Sequence, residues 1–204
     1  SVCQFLSDKS PAMRFFKYLL VGTLGLFGVA LVALAITLRY EAACTPITGS
    51  DMSESMAAVH YSCYGGPEVL QSGRHPVPEP QGNELLIRVE NAAVNPLDWH
   101  FMRGSPYIMR VTSGIGRPLD TRLGRDFSGV VEAVGPDVTR FEVGDAVFGG
   151  AGGAFAEYVL RTEDYAVAAK PANVSHADAA ATPVAALTAL QALRDKGGLQ
   201  AGQR

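Results

Sequence analysis

Residues 124–135, GRDFSGVVEAVG, place Arg125 and Asp126 directly after a glycine and ahead of a run of alternating small and β-branched residues. Four readings are open for the charged pair: a metal site, a catalytic acid, a phosphate cradle, or a well-made turn. The run behind it reads as a strand. Upstream, ELLIRVENAAVN (84–95) sets Leu85, Ile87 and Val89 against Leu86, Arg88 and Glu90, the two-residue period of a half-buried strand. GDAVFG (144–149), AFAEYVL (154–160) and YAVAAKP (165–171) follow, and AAVHY (57–61) and EVLQSG (68–73) precede, separated by Gly- and Pro-rich turns. Many short strands with this punctuation predict an antiparallel barrel or sandwich over residues 56–174.

The period changes near the end of the chain. In SHADAAATPVAALTALQALRDKGG, Ser175 is a candidate N-cap with Asp178 three residues on, Thr182-Pro183 restarts a helix, and Gly197-Gly198 stops it. Residues 175–204 are therefore expected to form helices that close the barrel. At the other end, residues 18–38 carry no charge between Lys17 and Arg39. At about 1.5 Å per residue this stretch crosses a bilayer core of about 30 Å, so it predicts one transmembrane helix behind an extension (residues 1–17). A signal peptide is the alternative, although its apolar region usually runs about 7–15 residues. Lys9, Arg14 and Lys17 precede the span and Arg39 follows it, a distribution that favours exporting the remainder of the chain. Residues 39–55, small and polar, read as a linker.

Composition closes other classes. A formal net charge of -3 without a basic cluster leaves no electrostatic footprint for nucleic acid. Cys3, Cys44 and Cys63 stand far apart with no C-x-x-C, so neither a zinc knuckle nor a disulfide framework is expected, and the sparse count suits a reducing compartment. GGAGGAF (149–155) is glycine-dense but leads into a strand and not a helix, so it reads as a turn and fails as a phosphate cradle.

AVNPLDWHFMRG, LGRDFSGVVEAVG, FEVGDAVFG, GAFAEYV and AAATPVAALTALQAL occur in that order over roughly 150 residues. Together they resemble the N-terminal, GroES-like domain of the medium-chain dehydrogenase/reductase superfamily, nearest its zinc-independent quinone oxidoreductase-like branch. The resemblance implies a mainly β fold, a GroES-like antiparallel barrel, with a Rossmann domain expected downstream of Arg204 to bind NADPH or NADH. On that expectation the 204 residues are a piece of a longer protein, inactive alone, and the complete protein has room to form a homodimer. Zinc-dependent members hold the metal at positions that match Asn95, Arg125 and Val184 here, and none of these supplies a normal zinc ligand. Asp126 is expected to pair with Arg125 and not to bind a metal. No metal and no zinc are therefore expected, which favours hydride transfer from NAD(P)H to acceptors already activated, a quinone or an α,β-unsaturated carbonyl.

The same resemblance supplies the site residues. Asn95 is a candidate to hydrogen-bond the nicotinamide or the substrate oxygen, or else forms an Asn-Pro turn. Tyr107 is a candidate oxyanion donor, or a packing tyrosine. Asp98 either contacts the cofactor or fixes the loop through backbone bonds, and Thr188 either approaches the nicotinamide or packs. His100 reads as an ordinary loop or core residue more readily than as a proton relay. Two rivals stand beside the reductase: a membrane-anchored, non-catalytic binding module, and an alcohol or aldehyde dehydrogenase of the same superfamily. Nicotinamide supply places the soluble domain on the cytoplasmic face of the membrane, against the flanking charges.

Overall fold

The computed structural model describes residues 11–45 and 55–203, with side chains from residue 15 onward. It divides into two units, residues 1–40 and 41–204. In the first, α1 (Pro11–Arg39) is one continuous helix. Residues Phe15–Arg39 have a mean hydropathy of 2.6, which makes this helix long and apolar enough to cross a membrane.

The second unit is a curled antiparallel half-barrel. Its five-stranded sheet has the order β6-β3-β4-β5-β7, from β3 (Glu84–Ala93), β4 (Asp126–Val134), β5 (Ala146–Gly150), β6 (Tyr158–Thr162) and β7 (Val167–Ala169). A two-stranded sheet of β1 (Ser55–His60) and β2 (Gln71–Pro76) is bridged singly to the segments just ahead of β6 and β4, Ala58 to Ala156 and His60 to Arg122. Leu85 and Ile87 project inward from β3 and are fully buried with Phe127, Val131 and Val147, as the two-residue period of 84–95 predicts. Each such side chain contributes about 1.5–3 kcal/mol of transfer free energy. The strand pairing β3 to β4 sets Ile87 opposite Val131 and Val89 opposite Gly129, with a register shift just beyond Val89.

Helices cover one end. α2 (Pro96–Arg103) follows β3, and the short α3 (Arg110–Ser113) follows a 3-10 turn at Tyr107–Met109. α4 (His176–Ala180) is capped by Ser175, whose Oγ accepts the Asp178 N–H, and α5 (Pro183–Leu190) continues into a π-helical turn. The two closing helices thus start where their caps predict.

Three expectations are corrected. EVLQSG is not a strand throughout, because Pro67 opens a 3-10 turn over Pro67–Val69 and pairing begins at Gln71. Residues 96–103 are helical and not loop: Pro96 pre-sets the first turn, and the Asp98 carboxylate accepts the Asn95 N–H. The linker is not free over its first part. Cys44 and Cys63 form a disulfide with Cα atoms 4.8 Å apart, contrary to three unpaired cysteines, and residues 41–45 lie on the barrel. A separation of 19 residues carries no pairing signal of its own. Linker residues 46–54 lie outside the described residues.

One pair on the small sheet makes stability depend on pH. His60 is buried, and its Nδ1 lies 2.7 Å from Nε2 of His75 across the strand pair. Burial, then the neighbouring imidazole, holds His60 below its ordinary 6.5. The folded chain therefore binds fewer protons than the unfolded one below about pH 6.5, so stability present above that value is lost as pH falls through it. Urea midpoints from the fluorescence of Trp99, the sole tryptophan, are expected to fall between pH 7 and pH 5, and to fall less in His60→Gln. Parallel pH curves for the two proteins contradict this account.

Candidate functional site

β4 begins at Asp126, which is fully buried. Its Oδ2 accepts the Val184 N–H at 3.0 Å, so one carboxylate braces the first turn of α5 against the sheet. An acidic group at a helix N-terminus also meets the positive end of the helix dipole. Burial pushes the Asp126 carboxyl up, while the Val184 N–H and the Asn95 amide draw it back. Its other oxygen, Oδ1, has no hydrogen-bond partner among the described residues. The expected pairing with Arg125 is thus corrected. Neighbouring residues entering a strand point to opposite sides, and the Arg125 guanidinium instead lies over the Phe101 ring, 4.0 Å from its centroid.

Between β5, β7 and α5 runs an open groove of about 640 Å³, lined among others by Leu97, Asp126, Phe148, Gly149, Leu187 and Thr188. Its walls are mostly apolar, with Asp126, Thr182, Thr188 and Gln191 as polar points. A second, larger cleft of about 720 Å³ lies on the outer face of the sheet. Of its charged residues, Arg88 and Glu132 are paired at 3.3 Å and Glu157 accepts the Ala57 N–H at 2.7 Å, and none of the sequence-predicted residues lines it.

The sequence-predicted residues separate into two places. Asn95 is the N-cap of α2 and nearly buried; its N–H donates to Asp98 Oδ2 at 2.7 Å, and its Nδ2 approaches Ala93 O at 3.4 Å. It adjoins Asp126 at the groove. Asp98 is buried, its carboxyl raised by that burial, and it closes the first turn of α2. Thr188 is an exposed residue of α5 lining the groove. Tyr107 lies elsewhere: its half-exposed ring faces the guanidinium of Arg110 at 4.7 Å, and it is not a lining residue of the groove. His100 stacks on Trp99 and donates through Nδ1 to Ser105 O at 2.6 Å, an assignment that uses its proton locally. Val184 contributes its backbone N–H to Asp126, and its side chain offers no donor atom. Among the described residues no group of three or more His, Cys, Asp or Glu side chains converges as a metal site.

Arg110 is the residue that sequence reading passes over. It is 1% exposed and sandwiched between the rings of Tyr64 and Tyr107, 4.4 and 4.7 Å from its guanidinium carbon. It donates to Gly104 O at 2.9 Å, to Arg103 O at 3.2 Å and to Glu41 at 2.7 Å. Gly104 takes the left-handed conformation that ends α2, and a Cβ there would stand 2.7 Å from both Arg110 Nε and Tyr64. No sequence period signals an arginine used as a core residue, and Glu41 lies 69 positions away.

Residues 81–172 match the alcohol dehydrogenase GroES-like domain family. A chloroplastic quinone-oxidoreductase homolog of Spinacia oleracea is 42% identical over 143 residues, covering 68% of this chain and 42% of that protein. Among solved structures, the quinone oxidoreductase from Coxiella burnetii superposes with a TM-score of 0.65 at 34% identity, over 72% of this chain and 47% of that one. A mycobacterial protein complexed with NADPH superposes at 0.59 and 35% identity, over 69% and 40%. The chain thus spans less than half the length of the relatives it matches. Its barrel belongs to the quinone oxidoreductase-like branch of the medium-chain dehydrogenase/reductase superfamily, as the GroES-like domain of that family.

Proposed function

We propose that this chain supplies the substrate-side domain of an NAD(P)H-dependent, zinc-independent reductase acting on a quinone or α,β-unsaturated carbonyl. The observation that carries it is what stands at the three positions matching the family's zinc ligands: the Asn95 amide, the Arg125 guanidinium stacked on Phe101, and Val184 held by its backbone. None is a zinc donor. The groove beside them fits a flat, weakly polar ring, with Phe148 and Leu187 as apolar surface and Thr188 as a hydrogen-bonding group. When bound, a nicotinamide supplies hydride. The residues of this chain hold the acceptor, keep water away through the α5 leucines, and present N–H or O–H groups to the oxygen on which negative charge develops. We assign that role to Asn95, whose amide neighbours the groove residue Asp126. Tyr107 enters it by family resemblance and stands apart from the groove, and Asp98 acts through the first turn of α2.

The complete protein is expected to reduce quinones or enones with NADPH or NADH at rates that 1,10-phenanthroline leaves unchanged. Loss of activity on chelation, or alcohol oxidation as the faster reaction, overturns the metal-free reading in favour of an alcohol dehydrogenase. Asn95→Ser keeps a capping oxygen and a hydroxyl beside Asp126 but removes the amide N–H donor, so it is expected to fold normally and lower kcat by about 100-fold. An equal loss of stability and activity assigns Asn95 to the cap alone.

The barrel is proposed to be attached to a membrane through α1 and to face the cytoplasm, where nicotinamide cofactors are supplied. The Cys44–Cys63 disulfide favours a second reading, a barrel facing an oxidising compartment, which the flanking charges also support. A reporter fused after Arg204 that is active only outside the cytoplasm decides for the second.

A further inference from the structure

Residues 41–45 have no periodic pattern, yet they are stitched to the barrel along their whole length. Ala42 N–H donates to Gly116 O at 2.8 Å, beside a single parallel bridge from Glu41 to Gly116. Thr45 N–H donates to Ser62 Oγ at 3.0 Å, and Ser62 Oγ–H returns to Thr45 O at 2.7 Å. Between these contacts the Glu41 carboxylate sits on Arg110, and Cys44 is bonded to Cys63. The hydrogen bonds are exposed and each contributes modestly in water. The disulfide is the one covalent fastening.

The two sulfurs have unequal surroundings. Cys63 is 1% exposed, packed with Tyr61, Tyr64, Val69, Met102 and Leu123. Cys44 lies on the exposed strap. A thiolate arriving from solvent therefore meets Cys44, and the buried Cys63 is the leaving group. What the strap carries to the barrel is a charge: Glu41 faces Arg110, and Arg110 in turn holds the Gly104 and Arg103 carbonyls and packs between Tyr64 and Tyr107. The order of the turn that bears Tyr107 is thus tied through one buried cation to a segment fastened by a bond that thiols can break.

We propose that Cys44–Cys63 is a thiol-exchange site for a dithiol reductant, and that its reduction releases the strap 41–45 and loosens the Tyr107 turn by withdrawing Glu41 from Arg110. The exchange balances as follows. One thiolate of the reductant attacks Cys44 Sγ, the Cys44–Cys63 bond breaks, and Cys63 leaves as a thiolate that takes up a proton. The second thiol of the reductant then displaces Cys44 from the mixed disulfide. Two electrons and two protons pass to the protein, leaving two cysteine thiols and an oxidised, internally disulfide-bonded reductant. None of this depends on the hydride-transfer reading, because neither the bond nor the turn needs a cofactor.

The full chain in detergent micelles tests it, with dithiothreitol as the probe. Under denaturing, non-reducing conditions one of the three cysteines is expected to alkylate, and all three after dithiothreitol. Amide hydrogen exchange over residues 104–119 is expected to quicken by about 5- to 150-fold on reduction, the usual range of coupling between two sites. Exchange in β4 stays unchanged. Cys44→Ser reproduces the fast exchange and no longer responds to dithiothreitol, and Glu41→Gln quickens the same amides with the disulfide intact. Three alkylated cysteines without reductant, an unmoved exchange rate over 104–119, or an equal rise in β4 overturns the proposal.

Discussion

Arg110→Ala is expected to destabilise the barrel by about 3–5 kcal/mol. The substitution opens a void between two aromatic rings and strands two carbonyl oxygens, Gly104 O and Arg103 O, that the guanidinium satisfies. It also removes two cation–π contacts made away from solvent, where such contacts are strongest. For a unit of this size a loss of that order lowers Tm by about 6–20 °C, readable from Trp99 fluorescence, since Trp99 stands on α2 just ahead of the affected turn. Arg110→Lys is expected to recover little, because a single ammonium cannot reach Gly104 O, Arg103 O and Glu41 in the fork geometry of a guanidinium. A lysine variant with the Tm of the parent shows that charge alone, and not the fork, holds the turn.

Gly129→Ala has the second large effect, with a different cause. Gly129 lies in the middle of β4 opposite Val89, where a Cβ would stand 2.1 Å from the Arg88 carbonyl oxygen and 3.0 Å from the Ile87 side chain. The obstructing atom is backbone, so no rotamer change relieves it. The two central strands must separate or shift register, and overpacking of this kind costs about 3 kcal/mol. The expected result is a loss of roughly 6–12 °C in Tm with faster hydrogen exchange in both β3 and β4. A Tm within about 1 °C of the parent contradicts the close strand approach.

How much of this is readable beforehand follows the range of the interactions. β3 is legible because Leu85 and Ile87 obey a period that depends only on neighbours in sequence, and both end fully buried. The closing helices are legible from Ser175 and Pro183, local signals again. α2 is missed although its cues, Pro96 and the Asn95–Asp98 spacing, are present, because Asn-Pro serves turns and helix starts equally well. At the site, Thr188 lines the groove and Asn95 adjoins its residue Asp126, while Tyr107 is turned to Arg110 by a contact that no spacing encodes. The Cys44–Cys63 bond, the Glu41–Arg110 pair and the Asp126–Val184 brace all join residues 19 or more positions apart. Such pairings exist only once the sheet has brought distant segments together, so they leave no trace in a window of sequence.

The Asp126 brace makes proton occupancy and helix position a single equilibrium. A buried carboxyl raised by burial gives up its proton most readily when a strong donor faces it, and the donor here is the first turn of α5. Ionisation therefore strengthens the hold on Val184, and a firm hold on Val184 favours ionisation, by the reciprocity that governs any two linked equilibria. Since α5 is one wall of the groove, the width of that groove and the charge beneath it cannot be set independently.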